Sequence, residues 1–375
     1  MTKDVVIVGF KRTPFHFATK GALAKVRPDD LATAAVKALL EETGVKGEDI
    51  EDVIMGCAFP EGEQGFNIGK IIAQMVELPV TVAGVTVNRF CGSSMQAIHM
   101  AAGAIQMGAG DAFICGGVES MSRIPMGGFN PMPHPEFYKS YPAAYMSMGE
   151  TAENVAKKFD VSRADQEEFA VESHQKAAKA AEAGNFKDEI VAIGDVDSDG
   201  TIRPDSTTEA LAGLKPAFDK DGVVTAGTSS PLTDGAVATL VCTADYAKAN
   251  GLKPMAKIRS VAVAGCAAEI MGMGPVNATN KALERAGVSI NDIDVIELNE
   301  AFGSQSLAVL RELKIDQTKV NLDGGAIALG HPLGASGARI TGKAASLLQR
   351  EKKSLALATM CIGGGQGIAT ILEAV

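Results

Sequence analysis

An internal repeat constrains this chain more than any composition figure does. The segment ALLEETGVKGEDIEDVI (Ala38 to Ile54) matches KALERAGVSINDIDVIEL (Lys281 to Leu298). Each reads as an amphipathic helix, a glycine stop, an acidic turn and a short apolar strand. Gly44 aligns with Gly287 and Ile50 with Ile293, both at an offset of 243. The same offset carries Cys91 to position 334, near His331, and Cys115 to position 358, near Cys361. Two similar βα halves are expected, with their reactive loops facing one another across a pseudo-dyad. The expected class is therefore α/β: two βαβαβ-type halves in a layered sandwich of sheets and helices.

Between the halves the character changes. RIPMGGFNPMPHPEFYKSYPAAYMSMG is rich in Pro, Gly and Met and reads as irregular. Two helices follow, the second with Ser162 as N-cap and a stop at Gly184. The expected division is a first half at 1–120 with 230–252, an inserted loop domain at 121–229, and a second half at 253–375. The insertion is expected over the top of the first half, where substrate loops sit. A length of 375 residues accommodates these units.

Charge excludes some functions. The formal net charge of −10 argues against a general nucleic-acid or membrane-surface binder, although a local basic site for an anionic ligand is compatible with it. The start, MTKDVVIVGFKRTPF, reads as a first strand and not as a signal peptide. No stretch reaches the roughly 20 apolar residues of a membrane span. The six cysteines form no CxxC pair, so no metal site is expected. Reduced thiols and a cytoplasmic location are the expectation.

Three glycine-rich elements each present one reactive side chain: VNRFCGSSMQA with Cys91, GGAIALGHPLGASGAR with His331, and ATMCIGGGQG with Cys361. Cys91 falls at the turn between the strand TVAGVTV and a buried helix. A helix N-terminus offers free N–H groups and about half a positive charge, which stabilises a thiolate. The plainer reading is an ordinary buried cysteine. His331 has the context of a base for Cys91, whereas His16, His99, His134 and His174 lack it. Cys361 ends an apolar strand, and its glycines could either cradle a phosphate or aim N–H groups at an oxyanion. The chain end GIATILEAV reads as a last strand, which favours the oxyanion reading. NEAFGSQ, beginning at Asn299, either caps a helix or lines the shared cleft.

These residues, with RTPF, SMGETAENVA, VTAGTSSPLTDGA, IMGMGPV and NEAF in order, resemble the thiolase family over essentially the full length. Within it, CGSSMQAIH, TTEALAGLKPAF and ATMCIGGGQGIAT are most similar to bacterial 3-ketoacyl-CoA thiolases of fatty acid β-oxidation. The resemblance implies thiolytic cleavage of a 3-ketoacyl-CoA by CoA to acetyl-CoA and a shortened acyl-CoA. It implies Cys91 as acylated nucleophile, His331 as its activator and Cys361 as acid/base. It also implies that Asn299 holds a water in one oxyanion site, while the N–H groups of Cys91 and Gly363 form the other. CoA contacts are implied at Arg203 and Ser230, with Met148, Met271 and Phe302 along the acyl end. CoA is then a substrate, and no cofactor is tightly bound. A homodimer or homotetramer is implied, with a possible hydratase/dehydrogenase partner. Three positions depart from relatives: Gly303 after NEAF, Ala210 near the CoA site, and Ser147 where biosynthetic members carry His. The alternatives are a biosynthetic acetoacetyl-CoA thiolase, a decarboxylating ketoacyl synthase, which the second thiol disfavours, and a non-catalytic acyl-CoA-binding protein.

Overall fold

Side-chain alternation along the strands sorts the apolar residues into separate cores. In the computed structural model, which describes residues 3–375, strand β1 (Val5–Arg12) sends Val5 and Ile7 into one core and Val6 and Val8 into another. The remaining strands are β2 (His16–Phe17), β3 (Asp52–Gly56), β4 (Ala83–Val87), β5 (Ala112–Ser120), β6 (Thr233–Thr243), β7 (Ala256–Gly265), β8 (Val295–Leu298), β9 (Leu355–Ile362) and β10 (Gln366–Glu373). Their order is β4-β3-β5-β6-β1-β7-β10-β9-β8, with β2 beside β6.

The order is nearly palindromic about the β1–β7 junction. On one side β6, β5 and β3 follow β1, and on the other β10, β9 and β8 follow β7. In each half the outer pairs are parallel and the inner ones antiparallel. The repeat sits where the sequence places it. Gly44 and Gly287 both end a helix in the left-handed conformation, at φ 64° and 67°. Val53 pairs Ile114 and Ile296 pairs Leu357, at the sequence offset of 243.

This register also corrects one expectation. Cys115 is the twin of Ala358, and Cys361 is the twin of Val118, so the two cysteines are not equivalent. Cys91 and His331 do correspond: each lies two residues before a helix, Ser93–Gln106 in one half and Leu333–Arg350 in the other.

Those two helices form the central layer. One core holds Ile98, Ile105, Ile340 and Leu348 from the helices with Phe113 and Val241 of one sheet face and Ala358 and Met360 of the other. The outer face of the first half carries the helix Pro28–Thr43, and that of the second carries Gly274–Ala286 and Gly303–Leu313. The result is a five-layer stack, helix, sheet, helix pair, sheet, helix.

The chain between β5 and β6 does not lie wholly over the first half. Its helices Met148–Lys158 and Arg163–Glu182 place Val155, Phe169 and Ala170 in the second half's core, beside Leu298, Leu307 and Val309. Their apolar faces find a matching surface on the Gly303–Leu313 helix. The first half is met instead by the non-helical parts: Phe129 at Glu61 and Gly62, and the stretch after the second helix, where Ile190 bridges Arg12, Arg12 pairs with Glu189 and Asp199, and Ile193 and Val196 pack on the first half's core. Ser162 does cap its helix, accepting from the Asp165 N–H.

Candidate active site

The two central helices begin at one place because glycines let them. A Cβ on Gly337 would stand 2.5 Å from Met95 N, and one on Gly117 would stand 2.0 Å from the Gly334 carbonyl oxygen. Ser94 Oγ accepts from Ala338 N at 2.8 Å, joining the two helix starts. Glu119, the one acid in β5, locks the junction from beneath. It accepts from Ala58 N, Gly334 N and Gln64 Nε2, each at 2.8 Å. A carboxylate spanning both halves thus fixes the His331 loop against the Cys91 half. Burial raises its proton affinity, and the N–H donors oppose that rise.

Cys91 lies in the short turn Phe90–Gly92 that opens the Ser93–Gln106 helix. Burial pushes its thiol up to about 11, against the N–H groups of Gly363 and of Cys91 itself, which point at the sulfur. The thiolate expected from helix position is therefore not the resting form: desolvation outweighs the helix terminus. Those same N–H groups are the ones an oxyanion on a carbon bonded to this sulfur would meet.

His331 is buried at 4% exposure. Burial, then the charge of Arg339, lowers its pKa to about 3. Its tautomer follows from its partners. Ser336 has one hydroxyl proton and gives it to the Pro332 carbonyl at 3.0 Å. Its oxygen then accepts from His331 Nδ1 at 2.5 Å. That leaves Nε2 as the acceptor nitrogen, and the Asn299 amide Nδ2 donates to it at 3.3 Å. Asn299 Oδ1 is buried without a protein partner among the described residues. Cys361, fully buried at the end of β9, is raised well above the ordinary thiol value by burial and by neighbouring Cys91.

The structure brings Met148, Met271, Phe302 and Cys361 into one apolar cluster with Ala152, Val224 and Ala301. Ser230 joins that cluster's edge, its N–H and hydroxyl both donating to the Ala301 carbonyl. Arg203 is exposed, stacks on Phe17 at 5.1 Å and lines a small cavity with His174 and Ser229. It forms no ion pair among the described residues, which leaves its charge free for an anion. Gly363 is buried beside Met148. Gly303 opens its helix 3.3 Å, by the position of an added Cβ, from Gln166 Cβ. Ser147 is spent on a capping box with Glu150, and Ala210 on a short exposed helix.

Sequence reading missed three residues here. Ser336 was hidden among small residues, although its place five after His331 puts it on the first helical turn. Glu119 carried a signal, a lone acid in an otherwise apolar strand. Phe218 gave none: it meets Phe302 edge-on at 5.8 Å and sits on Gly149, whose side-chain absence admits the ring. Among the described residues no group of three or more His, Cys, Asp or Glu could hold a metal. None of the described helices is long and apolar enough to cross a membrane.

Comparison with known proteins gives a consistent set of likenesses. A family model described as Thiolase, N-terminal domain, matches residues 5–245, and one described as Thiolase, C-terminal domain, matches 252–374. The chain is 52% identical to a 3-ketoacyl-CoA thiolase of Idiomarina loihiensis, with 100% of each covered. It is 48% identical to a 3-ketoacyl-CoA thiolase of Bacillus subtilis, with 99% of each covered. Among solved structures, Bacillus anthracis acetyl-CoA acetyltransferase superposes with a TM-score of 0.92 at 38% identity, covering 100% of this chain and 99% of that one. Human mitochondrial 3-ketoacyl-CoA thiolase in complex with CoA gives 0.91 at 38% identity, covering 100% and 98%.

Proposed function

The chain belongs to the thiolase family, and from that premise we propose that it cleaves 3-ketoacyl-CoA with CoA through an acyl group on Cys91. The observation that carries this reading is the neighbouring pair of buried thiols, Cys361 and Cys91, the latter beside two backbone N–H donors, with His331 held as the tautomer whose Nε2 accepts.

The chemistry runs on these groups. His331 Nε2 takes the Cys91 proton as the sulfur attacks the 3-keto carbon. The oxyanion that forms meets the Cys91 and Gly363 N–H groups. The bond between C2 and C3 then breaks, leaving the acyl group on Cys91 and an acetyl-CoA enolate. The proton now on Nε2 faces the enolate's thioester oxygen, and Asn299 supports a water on the same side through its free Oδ1. Cys361, kept protonated by burial, delivers its proton to the enolate carbon and becomes a thiolate. It then takes the proton of an incoming CoA thiol. That sulfur attacks the acyl group and Cys91 leaves as a thiolate, which recovers the proton held by His331. Each oxyanion donor of this type is worth roughly 3 kcal/mol to the barrier.

The remaining assignments belong to the same proposal. Arg203 and Ser230 hold CoA, and Met148, Met271 and Phe302 border the reacting acyl and thioester carbons. The chain divides at 1–120 with 230–252, 121–229 and 253–375. It works in the cytoplasm as a homodimer or homotetramer, open to a hydratase/dehydrogenase partner. The test is thiolysis kinetics across 3-ketoacyl-CoA chain lengths beside acetyl-CoA condensation. Thiolysis of substrates longer than acetoacetyl-CoA is expected. Activity confined to the four-carbon substrate would favour the biosynthetic direction, and no turnover with any of them would defeat the reading.

A further inference from the structure

Phe90 immediately precedes the nucleophile and adopts φ of +43°, a left-handed value that costs an aromatic residue free energy. The turn is held in that shape by its neighbours. Asn88 Oδ1 accepts from Phe90 N at 2.9 Å, and Asn88 Nδ2 donates to the Ala58 carbonyl at 3.0 Å. Ser93 Oγ donates to the Phe90 carbonyl at 2.6 Å and accepts from Arg89 N at 2.9 Å. A glycine would adopt this φ without strain, yet the position carries a large apolar ring that is 40% exposed.

The ring's location gives it a use. A Cβ built on Gly363 would lie 3.2 Å from Met148 Sδ and 3.6 Å from a ring carbon of Phe90. These two side chains therefore cover the glycine whose N–H faces the Cys91 sulfur. Met148 belongs to the closed apolar cluster around Cys361, where the two-carbon unit reacts. Phe90 faces the other way, outward, with Phe59 at 6.1 Å between ring centroids. Phe59 is itself anchored, its N–H donating to Glu119 at 3.2 Å. An acyl group on Cys91 with its oxygen toward the Gly363 N–H would have Met148 and Phe90 as its apolar neighbours, and of these only Phe90 lies outside the closed cluster. The exposed apolar surface at that point is the Phe90–Phe59 pair.

We propose that Phe90 is a specificity-determining residue: its ring, backed by Phe59, is the wall along which the tail of the acyl group on Cys91 lies, and it sets the preference for long tails. The proposal rests on the thiolase reading above. A merely structural Phe90 would support the turn equally for every substrate. The ring as a wall contributes only when there is a tail to contact, and apolar contacts of about one methylene already discriminate by 10–200-fold.

The test compares wild type, Phe90→Ala and Phe90→Leu on acetoacetyl-CoA, 3-ketooctanoyl-CoA and 3-ketohexadecanoyl-CoA. In Phe90→Ala the ratio of kcat/KM on the longest substrate to that on acetoacetyl-CoA should fall on the order of tenfold or more. Phe90→Leu should recover part of that loss. If Phe90→Ala does not fold, the ratio of long to short activity in Phe90→Leu carries the same comparison and should fall. A loss by one common factor at all three lengths would overturn the assignment of Phe90 while wild-type thiolysis leaves the general reading intact. Absence of wild-type thiolysis at every length would overturn both.

Discussion

Cys91 and Cys361 carry the same side chain and are both buried, yet their surroundings differ in one respect. Cys91 has two backbone N–H groups at its sulfur, whereas Cys361 has its own N–H and two neighbouring thiols, Cys91 and Cys266. Cys91 is therefore the easier thiol to ionise, and Cys361 the better proton store. Neither is a thiolate at rest, because burial dominates both. The sign at Cys91 is testable. With its pKa up at about 11, the thiolate fraction grows about tenfold per pH unit through neutral and mildly alkaline pH. Alkylation of Cys91 by iodoacetamide, followed by peptide mapping, should accelerate about tenfold per pH unit, and so about a hundredfold from pH 7 to pH 9. A rate that levels off below pH 8 would mean the helix terminus, and not burial, sets the thiol. The residues proposed for the site could be picked out in the sequence where a reactive side chain stood in a glycine-rich frame, as with Cys91, His331 and Cys361. The direction of the Cys91 shift was not, because desolvation depends on remote packing: Ile362 and Ile368 from the far half crowd the neighbouring Gly92 and share one core with Cys91.

At the scale of elements, the two sheet ends are treated differently. Beyond β8, Val320 makes a parallel bridge to Ile296, so the second half covers its own edge. Beyond β4 nothing further pairs among the described residues. Near that edge Phe66 and Val80 are 92% and 95% exposed, and Met100 on the central helix is 38% exposed. An open strand edge flanked by apolar side chains favours pairing with a second copy. Light scattering at micromolar concentration should therefore give at least a dimer, and a fully active monomer would contradict this. The repeat made most elements legible, since helix, glycine stop and strand recur at one offset. It did not reveal the missing twin of β4. That difference lies in the short turn Gln317–Lys319, which leaves only a single bridge where the first half builds a strand.

Across the whole molecule, the site exists only because the halves face one another. Cys91 and its helix come from the first half, while His331, Asn299, Cys361 and Gly363 come from the second. Glu119 and the close-approach glycines hold the two together. The layered α/β class could be read from the repeat. The packing of the 121–229 excursion could not, because its helices choose their partner by the shape of a remote apolar face on the Gly303–Leu313 helix. The proposed chemistry stands or falls on Cys91 carrying the acyl group in transit. Its most direct test is mass spectrometry of the full chain after incubation with acetyl-CoA, with peptide mapping and a chase with CoA. One acetyl group is expected, on Cys91, returning to CoA in the chase. The same adduct is expected in Cys361→Ala and none in Cys91→Ala. An unmodified protein, or an acetyl group on any other cysteine, would contradict it.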